Sequence, residues 1–351
     1  MCDTAAKPYG RLIPLNQSVG TVLAHDVTEI RAGEFKGAAF KKGHIITETD
    51  LPHLARLGKR YLYALEIAPG MMHEDEAALA LAKALAGPGI TYSPEPSEGK
   101  INLVAAHDGL LKVDVKALTQ FNLVEGIMCA SRHTNSLVQA GQLVSGTRVI
   151  PLVIARDVVA KGISIAESVG GIFSVKRLAR PETGLVITGS EIYEGLIQDK
   201  FVQVLKGKLQ SFNCSVVNVV YAPDDVDFIA RTIRELILGG IGLIVVTGGL
   251  SVDPDDVTRM GVKKAGAREL LYGSPVLPGA MALVAEIDSV PILGLPACGV
   301  YYKTTVFDLL LPRILAGEKL TRVDLASLSH GGLCLNCEIC RFPLCPFGKA
   351  T

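Results

Sequence analysis

Four cysteines fall within the last eighteen residues: Cys334, Cys337, Cys340 and Cys345, the last followed by Pro346. The spacing C-x2-C-x2-C-x4-C-P is one residue longer than the ferredoxin-type run that holds a [4Fe–4S] cluster. Two C-x2-C arms also suit tetrahedral Zn2+, and an unstructured tail of free thiols is the competing account. Cys2, Cys129, Cys214 and Cys298 are scattered. A secreted disulfide framework would spread its cysteines through a short chain, so this pattern points to a reducing, cytoplasmic setting and a local metal site.

A second set of chemistry-bearing residues sits in three polar turns, each directly after an apolar run. Thr188-Gly189-Ser190-Glu191 follows LVIT, and Thr247-Gly248-Gly249-Leu250-Ser251 follows LIVV and leads into Asp253, Asp255 and Asp256. The third, Gly294-Leu295-Pro296-Ala297-Cys298-Gly299, follows PIL. Glycine lets backbone N–H groups approach a ligand closely, and a following helix offers unpaired amides to an anion. Thr and Ser hydroxyls add donors, so three such turns point to a phosphate-bearing ligand. Carboxylates beside a phosphate repel it unless a cation intervenes, which implies Mg2+. Plain packing turns, with Asp256 as a helix cap, are the alternative. The spacing fits neither a P-loop nor GxGxxG, and no GxSxG elbow is present.

The elements that must position these turns come next. From Gly184 onward, strands alternate with helices: LVIT, a helix over 199–212, SVVNVVYA, a helix over 224–238, GLIVVTGG, a helix near 256–265, AMALVAEI, PILGLP and a helix over 299–315. The expected fold is α/β, a doubly wound mainly parallel sheet, preceded by a β-rich α+β region. Ligands in such sheets bind beyond the carboxyl ends of the strands, where the three turns fall. Before this domain, short strands, a helix at ETDLPHLARLGKR and a strand at YLYALEI are expected, then a helix at HEDEAALALAKALAG. GPGITYSPEPSEGK reads as a loop, and INLVAAHDGLLKVDV and GTRVIPLVIARDVV read as strands. The expected division is 1–66, 67–180, 181–320 and a cysteine-rich metal-binding tail over 321–351.

With 35 basic and 35 acidic side chains, bulk electrostatic capture of nucleic acid or membrane is not expected. The opening residues lack a secretory apolar run, and 236–252 is too short and glycine-broken for a membrane span. His107, Asp108, Arg132 and His133 read as satisfied polar residues, and Lys176, Arg177 and Arg180 as a solvated linker. Lys303 stands near the third turn, within reach of an anion.

TGSE, TGGLSVDPDDVT and GLPACGVYYKTTVFDLLLPRI together resemble the molybdopterin-binding domain of molybdenum cofactor biosynthesis proteins, the MoeA, MoaB and Mog group, over 184–318. GTVLAHDVT and FKKGHIITETDLPHLARLGKRYLYAL resemble the MoeA amino-terminal region, whereas 67–180 match no MoeA domain. The resemblance implies that Thr188, Gly189, Ser190 and Glu191 line the ligand turn. It implies that Thr247, Gly248, Gly249 and Ser251 hold phosphate, that Asp256 and Asp199 organise metal or nucleotide in catalysis, and that Asp225 or Asp224 is a second acidic position. Leu295 and Pro296 match the family's last turn. Ala297, Cys298 and Gly299 replace its usual Gly-Asn-Pro, and DPDD replaces GDYD. TGGLSVDPDDVT also resembles the CinA nucleotide-hydrolase domain. The implied function is a Mg2+-dependent molybdenumtransferase or adenylyltransferase on molybdopterin or its AMP adduct, with AMP or ATP as partners. The implied assembly is a homodimer or homotrimer. A non-catalytic cofactor carrier with a metal-sensing tail and a CinA-type pyrophosphatase are the alternatives.

Overall fold

The computed structural model describes residues 11–31, 33–64 and 67–349; Cys2 and part of YLYALEI lie outside them. The described residues fall into two compact units, the first running to Thr134 and over Val138–Val175, the second from Lys176 with Asn135–Leu137.

The first unit contains two hydrophobic cores. The smaller gathers Leu23, Val27, Phe40, Ile46, Leu54 and Leu62 around an antiparallel ribbon (Val27–Arg31 with Phe35–Phe40) and the helix Leu51–Arg56. The larger lies beneath an antiparallel four-stranded sheet in the order Ile90–Tyr92, Lys100–Ala105, Leu143–Val149, Ile127–Ser131. The helices Glu74–Leu85, Val115–Asn122 and Arg156–Ser168 contribute to this core. Two local expectations are corrected, and one helix stands where none was expected. GPGITYSPEPSEGK is not all loop, because Ile90–Tyr92 pairs with Leu103–Ala105. The helix Val115–Asn122 follows the strand-like KVDV, capped by Asp114, whose carboxylate accepts from the Ala117 N–H at 2.8 Å. IARDVV does not continue as a strand: Val153–Ala155 ends and a helix starts at Arg156, burying Val159, Gly162 and Ala166 at helical spacing.

The second unit is the α/β domain. Its strands are β1 (Thr183–Thr188), β2 (Val216–Ala222), β3 (Leu243–Thr247), β4 (Leu270–Tyr272), β5 (Leu283–Ile287) and β6 (Val290–Leu295). Its α-helices are α1 (Ser190–Tyr193), α2 (Phe201–Gln210), α3 (Val226–Leu238), α4 (Thr258–Lys264), α5 (Val306–Leu315) and α6 (Arg322–Ser327). The sheet order is β2-β1-β3-β6-β5-β4, with β2, β1, β3 and β6 parallel, β5 antiparallel to β6, and β4 antiparallel to β5. Every residue of TGLVIT and LIVVT is buried, as expected of strands covered on both faces by helices. The expected helix over 299–315 is interrupted. Ala297–Val300 forms one 3-10 turn, and α5 begins only after Thr305, where Thr305 and Asp308 make a capping box.

The carboxyl-terminal segment packs onto this domain. Leu325, Leu328 and Phe347 are buried in the core that holds β1, β3 and β6 residues. Thr321 and Asp324 cap α6 reciprocally, and Arg313, almost fully buried, bonds Asp324 at 2.6 Å and Glu318 at 2.8 Å.

Candidate functional site

Register brings the three turns to one edge. Ile187 pairs with Thr247 and Thr247 with Leu295, so β1, β3 and β6 end together. Thr247, fully buried, donates its hydroxyl to the Leu295 carbonyl at 2.8 Å and ties the last two ends to each other.

The second and third turns open onto a single cavity of about 660 Å³. Gly248, Gly249, Leu250, Ser251, Asp253 and Asp256 border it from one side, Pro296, Ala297 and Cys298 from another. Among the described residues, nothing accepts a hydrogen bond from the N–H groups of Gly249, Leu250 or Ser251. These donors are therefore available to a ligand. Asp256 does not cap α4, whose N-cap is Val257 without a side-chain bond. Its carboxylate instead accepts from the Asp253 N–H at 2.9 Å, closing the loop that carries both acids. The lining includes Asp253 and Asp256 and no basic side chain. An anionic ligand there must rely on amides and on a cation between it and the carboxylates. Cys298 borders the same cavity, and burial pushes its thiol above the usual range.

The turn is fixed from behind. Thr258 donates to the Gly248 carbonyl at 3.0 Å and stands 2.8 Å from the Thr188 hydroxyl, itself 3.2 Å from the Thr247 carbonyl. Gly248 has φ +88°, and a Cβ there would drive into the Thr188 carbonyl, so only glycine permits this approach of the two strand ends. Tyr272 donates to the Leu250 carbonyl at 2.5 Å, and the Arg259 guanidinium stacks 4.1 Å from the Tyr272 ring.

The first turn does not border the cavity. Thr188 is buried beneath the second turn. The Ser190 N–H donates to the Asp224 carboxylate at 2.8 Å, and the Asp224 N–H returns a bond to the Ser190 hydroxyl at 3.2 Å. The amide that would meet an anion is thus taken by the chain's own carboxylate. Gly189 and Glu191 lie against each other, a Cβ on Gly189 meeting the Glu191 carboxylate at 2.9 Å. Asp225 caps α3 by accepting from the Phe228 N–H at 2.7 Å. Asp199 accepts from the Phe201 and Val202 N–H groups at 2.7 and 3.1 Å and lies 3.4 Å from the Tyr221 hydroxyl. Asp199, Asp225 and the first turn thus do not line the cavity that Asp256 and the second turn border, although Thr188 packs beneath the second turn. Leu295 is buried, and only Pro296 of that pair reaches the cavity.

The cavity also has walls that the residue pattern did not announce. Leu277–Met281, Tyr302, Leu333, Cys334 and Asn336 complete it. GSPVLPGAM carried a Pro/Gly signal between strands, but nothing in it pointed to a ligand.

A second cavity of about 230 Å³ lies beside the carboxyl-terminal segment. All four tail cysteines border it, with Cys337 and Cys340 exposed and Cys334 and Cys345 half-buried. Cys340 Sγ lies 3.3 Å from the Thr304 hydroxyl. That hydrogen bond, helped by the Phe342 N–H, holds the Cys340 thiol below its ordinary range. Among the described residues no three His, Cys, Asp or Glu side chains are gathered closely enough to hold a metal ion. No helix among them is long and apolar enough to cross a membrane.

Comparison with known proteins bears on both ends of the chain. Residues 12–66 match a domain of unknown function (DUF8806), and residues 184–316 match the probable molybdopterin binding domain. A CinA-like protein of Thermotoga neapolitana is 37% identical over 90 residues, 26% of this chain and 22% of that protein. One of Thermosipho melanesiensis is 29% identical over 105 residues, 30% of this chain and 26% of its own. The chain thus spans about a quarter of the length of these relatives. Among solved structures, the molybdopterin biosynthesis Mog protein from Mycobacterium ulcerans is similar, with 16% identity, a TM-score of 0.32, and 38% of this chain and 91% of that chain covered. The molybdopterin biosynthesis MoeA protein from Pyrococcus horikosii covers 72% of this chain and 80% of its own, at 15% identity and a TM-score of 0.32. The part of the chain that is similar to the probable molybdopterin binding domain is residues 184–316, less than half of its length.

Proposed function

We propose that the 660 Å³ cavity binds molybdopterin or its adenylylated form, and that the protein acts in molybdenum cofactor biosynthesis as a molybdenumtransferase-like enzyme in the cytoplasm. The observation that carries this reading is the run of unpartnered N–H groups from Gly249 to Ser251 on a cavity whose only charged lining is acidic. The amides receive a phosphate or an adenylyl phosphate. Asp253 and Asp256 fit a hard divalent cation, for which Mg2+ is the natural choice; bound there, it would offset the charge of the carboxylates against that of the ligand. Asp256 does two things with this chain's own atoms: it closes the acidic loop through the Asp253 N–H and presents its charge to the cavity. The cysteines Cys334, Cys337, Cys340 and Cys345 supply a thiolate donor set suited to Zn2+ or a [4Fe–4S] cluster.

The CinA-like relatives favour a second reading, a nucleotide pyrophosphatase using the same turn. Incubating the full chain with Mg2+ and either the molybdopterin–AMP adduct plus molybdate or ADP-ribose separates the two. Release of AMP from the pterin adduct, dependent on molybdate, is the expected result. Cleavage of ADP-ribose with the adduct left intact would replace this reading with the second. Asp256→Asn keeps a hydrogen-bond acceptor for Asp253 but removes the charge, and turnover should fall at least ~10-fold with the fold intact. Full activity in that variant would remove Asp256 from its role.

A further inference from the structure

The two cavities of the second unit share a wall. Tyr302, Cys334 and Asn336 border both. Cys334 is at once the first member of the cysteine set and part of the lining opposite the glycine turn. Its place is fixed by backbone: the Leu277 N–H donates to the Gly332 carbonyl and the Cys334 N–H donates to the Leu277 carbonyl, both at 2.8 Å. Leu277 opens the segment Leu277–Met281 that forms a further stretch of the ligand cavity.

At its other end the cysteine segment is also tethered. Phe347 is buried in the domain core, and the Gly348 N–H donates to the Gly331 carbonyl at 3.0 Å. Between these anchors, residues 335–346 contain no helix or strand, and this stretch carries the other three cysteines. The four sulfurs surround one cavity without being gathered at ligating distance. A thiophilic cation can be held by all four only if the segment draws inward. Because both ends are fixed, that contraction must be taken up in part at Cys334 and Asn336, the stretch that walls the ligand cavity.

We propose that Cys334, Cys337, Cys340 and Cys345 form a site for a thiophilic metal whose occupancy sets the shape of the neighbouring ligand cavity through Cys334 and the Leu277 segment. Each ligating thiol gives its proton to the buffer and its sulfur lone pair to the metal, with no change of oxidation state. Coupling of this kind is reciprocal: whatever factor the metal adds to ligand affinity, the ligand adds to metal affinity. The effect on ligand affinity rests on the function proposed above, whereas the metal site and the response of its wall do not.

The test uses the full chain, reduced, held without oxygen and stripped by a chelator. Metal content of the protein as purified distinguishes a zinc site from an iron–sulfur site. Titration with Co2+ should give thiolate charge-transfer bands saturating at one ion per chain. The bands should be lost in the double variant Cys337→Ser/Cys340→Ser, which alters two exposed cysteines that do not line the ligand cavity and whose folding circular dichroism checks. Hydrogen exchange at the Leu277 and Cys334 amides should slow on Zn2+ loading in the native chain and not in the double variant. Affinity for the molybdopterin–AMP adduct should then differ by about fivefold or more between loaded and stripped protein. Absence of thiolate bands, or bands that persist in the double variant, overturns the site. Bands without any change at Leu277 and Cys334 overturn the coupling. Slowed exchange with no pterin binding in either state would sustain the metal-responsive wall and defeat the ligand reading alone.

Discussion

Thr188-Gly189-Ser190 and Thr247-Gly248-Gly249 leave adjacent parallel strands through the same Thr-Gly step, yet they end in opposite conditions. In the first, the Ser190 amide is satisfied by Asp224, and the helix that follows is only four residues long. In the second, the amides of Gly249, Leu250 and Ser251 have no partner among the described residues, and all three residues line the cavity. A glycine turn at a strand end is thus a joint when a neighbouring carboxylate fills it and a candidate site when nothing does. The same division runs through the aspartates. Asp199 and Asp225 spend their charge on helix N-termini, whereas Asp256 holds a loop and keeps its charge on the cavity.

Substitutions at the two turns should break this contrast unevenly. Gly248→Ala forces a Cβ into the Thr188 carbonyl at positive φ and should cost more than ~3 kcal/mol in urea unfolding. Gly189→Ala is strained at φ +134° too, but its Cβ meets only the flexible end of Glu191 and it should cost less; equal losses would mean that the second turn is not specially constrained. Thr258→Val removes the hydroxyl linking Gly248 to Thr188 and should lower stability by ~1–3 kcal/mol, leaving the half-buried Gly248 carbonyl unpaired.

The capping carboxylates extend the comparison to pH. Burial works to raise the Asp324 pKa, but the Thr321 hydroxyl and Arg313 outweigh it and bring the carboxyl down to about 2 from 3.8. A depressed carboxylate stabilises the fold above its unfolded value, so this contribution, ~1–2 kcal/mol after allowance for partial exposure, is lost as pH falls from about 4 through about 2. Acid titration of Asp324→Asn should lack that component, and an unchanged acid profile would contradict the assignment. Smallest is Asp225→Ala, expected to cost ~1 kcal/mol through loss of the α3 cap, with ligand affinity unchanged. A large loss of affinity in that variant would return Asp225 to the site.

The α/β domain was legible because its signals are local and strong. TGLVIT and LIVVT are continuous apolar runs, and only a strand covered on both faces reads that way. The helices at Val115 and Arg156 were not, since β-branched residues at their starts mimic strands and the packing that decides the second comes from distant residues, Ile127 and Phe121 against Gly162. The second and third turns were visible as turns, but which turn stays open depends on Asp224 reaching Ser190 across 34 residues. Nothing at Thr188 itself tells that. The role of Leu277–Met281 and Asn336 as cavity walls likewise depends on the Leu277–Leu333 bridge, a pairing between segments with no strand pattern of their own.

The claim at the centre of this account is that the open turn, and not the filled one, receives an anionic pterin. Calorimetric titration of the molybdopterin–AMP adduct into the full chain, with and without Mg2+, tests it most directly. One site per chain is expected, with binding strengthened by Mg2+ and that Mg2+ dependence lost in Asp256→Asn. Binding that ignores both Mg2+ and Asp256, or no heat with the adduct under any condition, would contradict it.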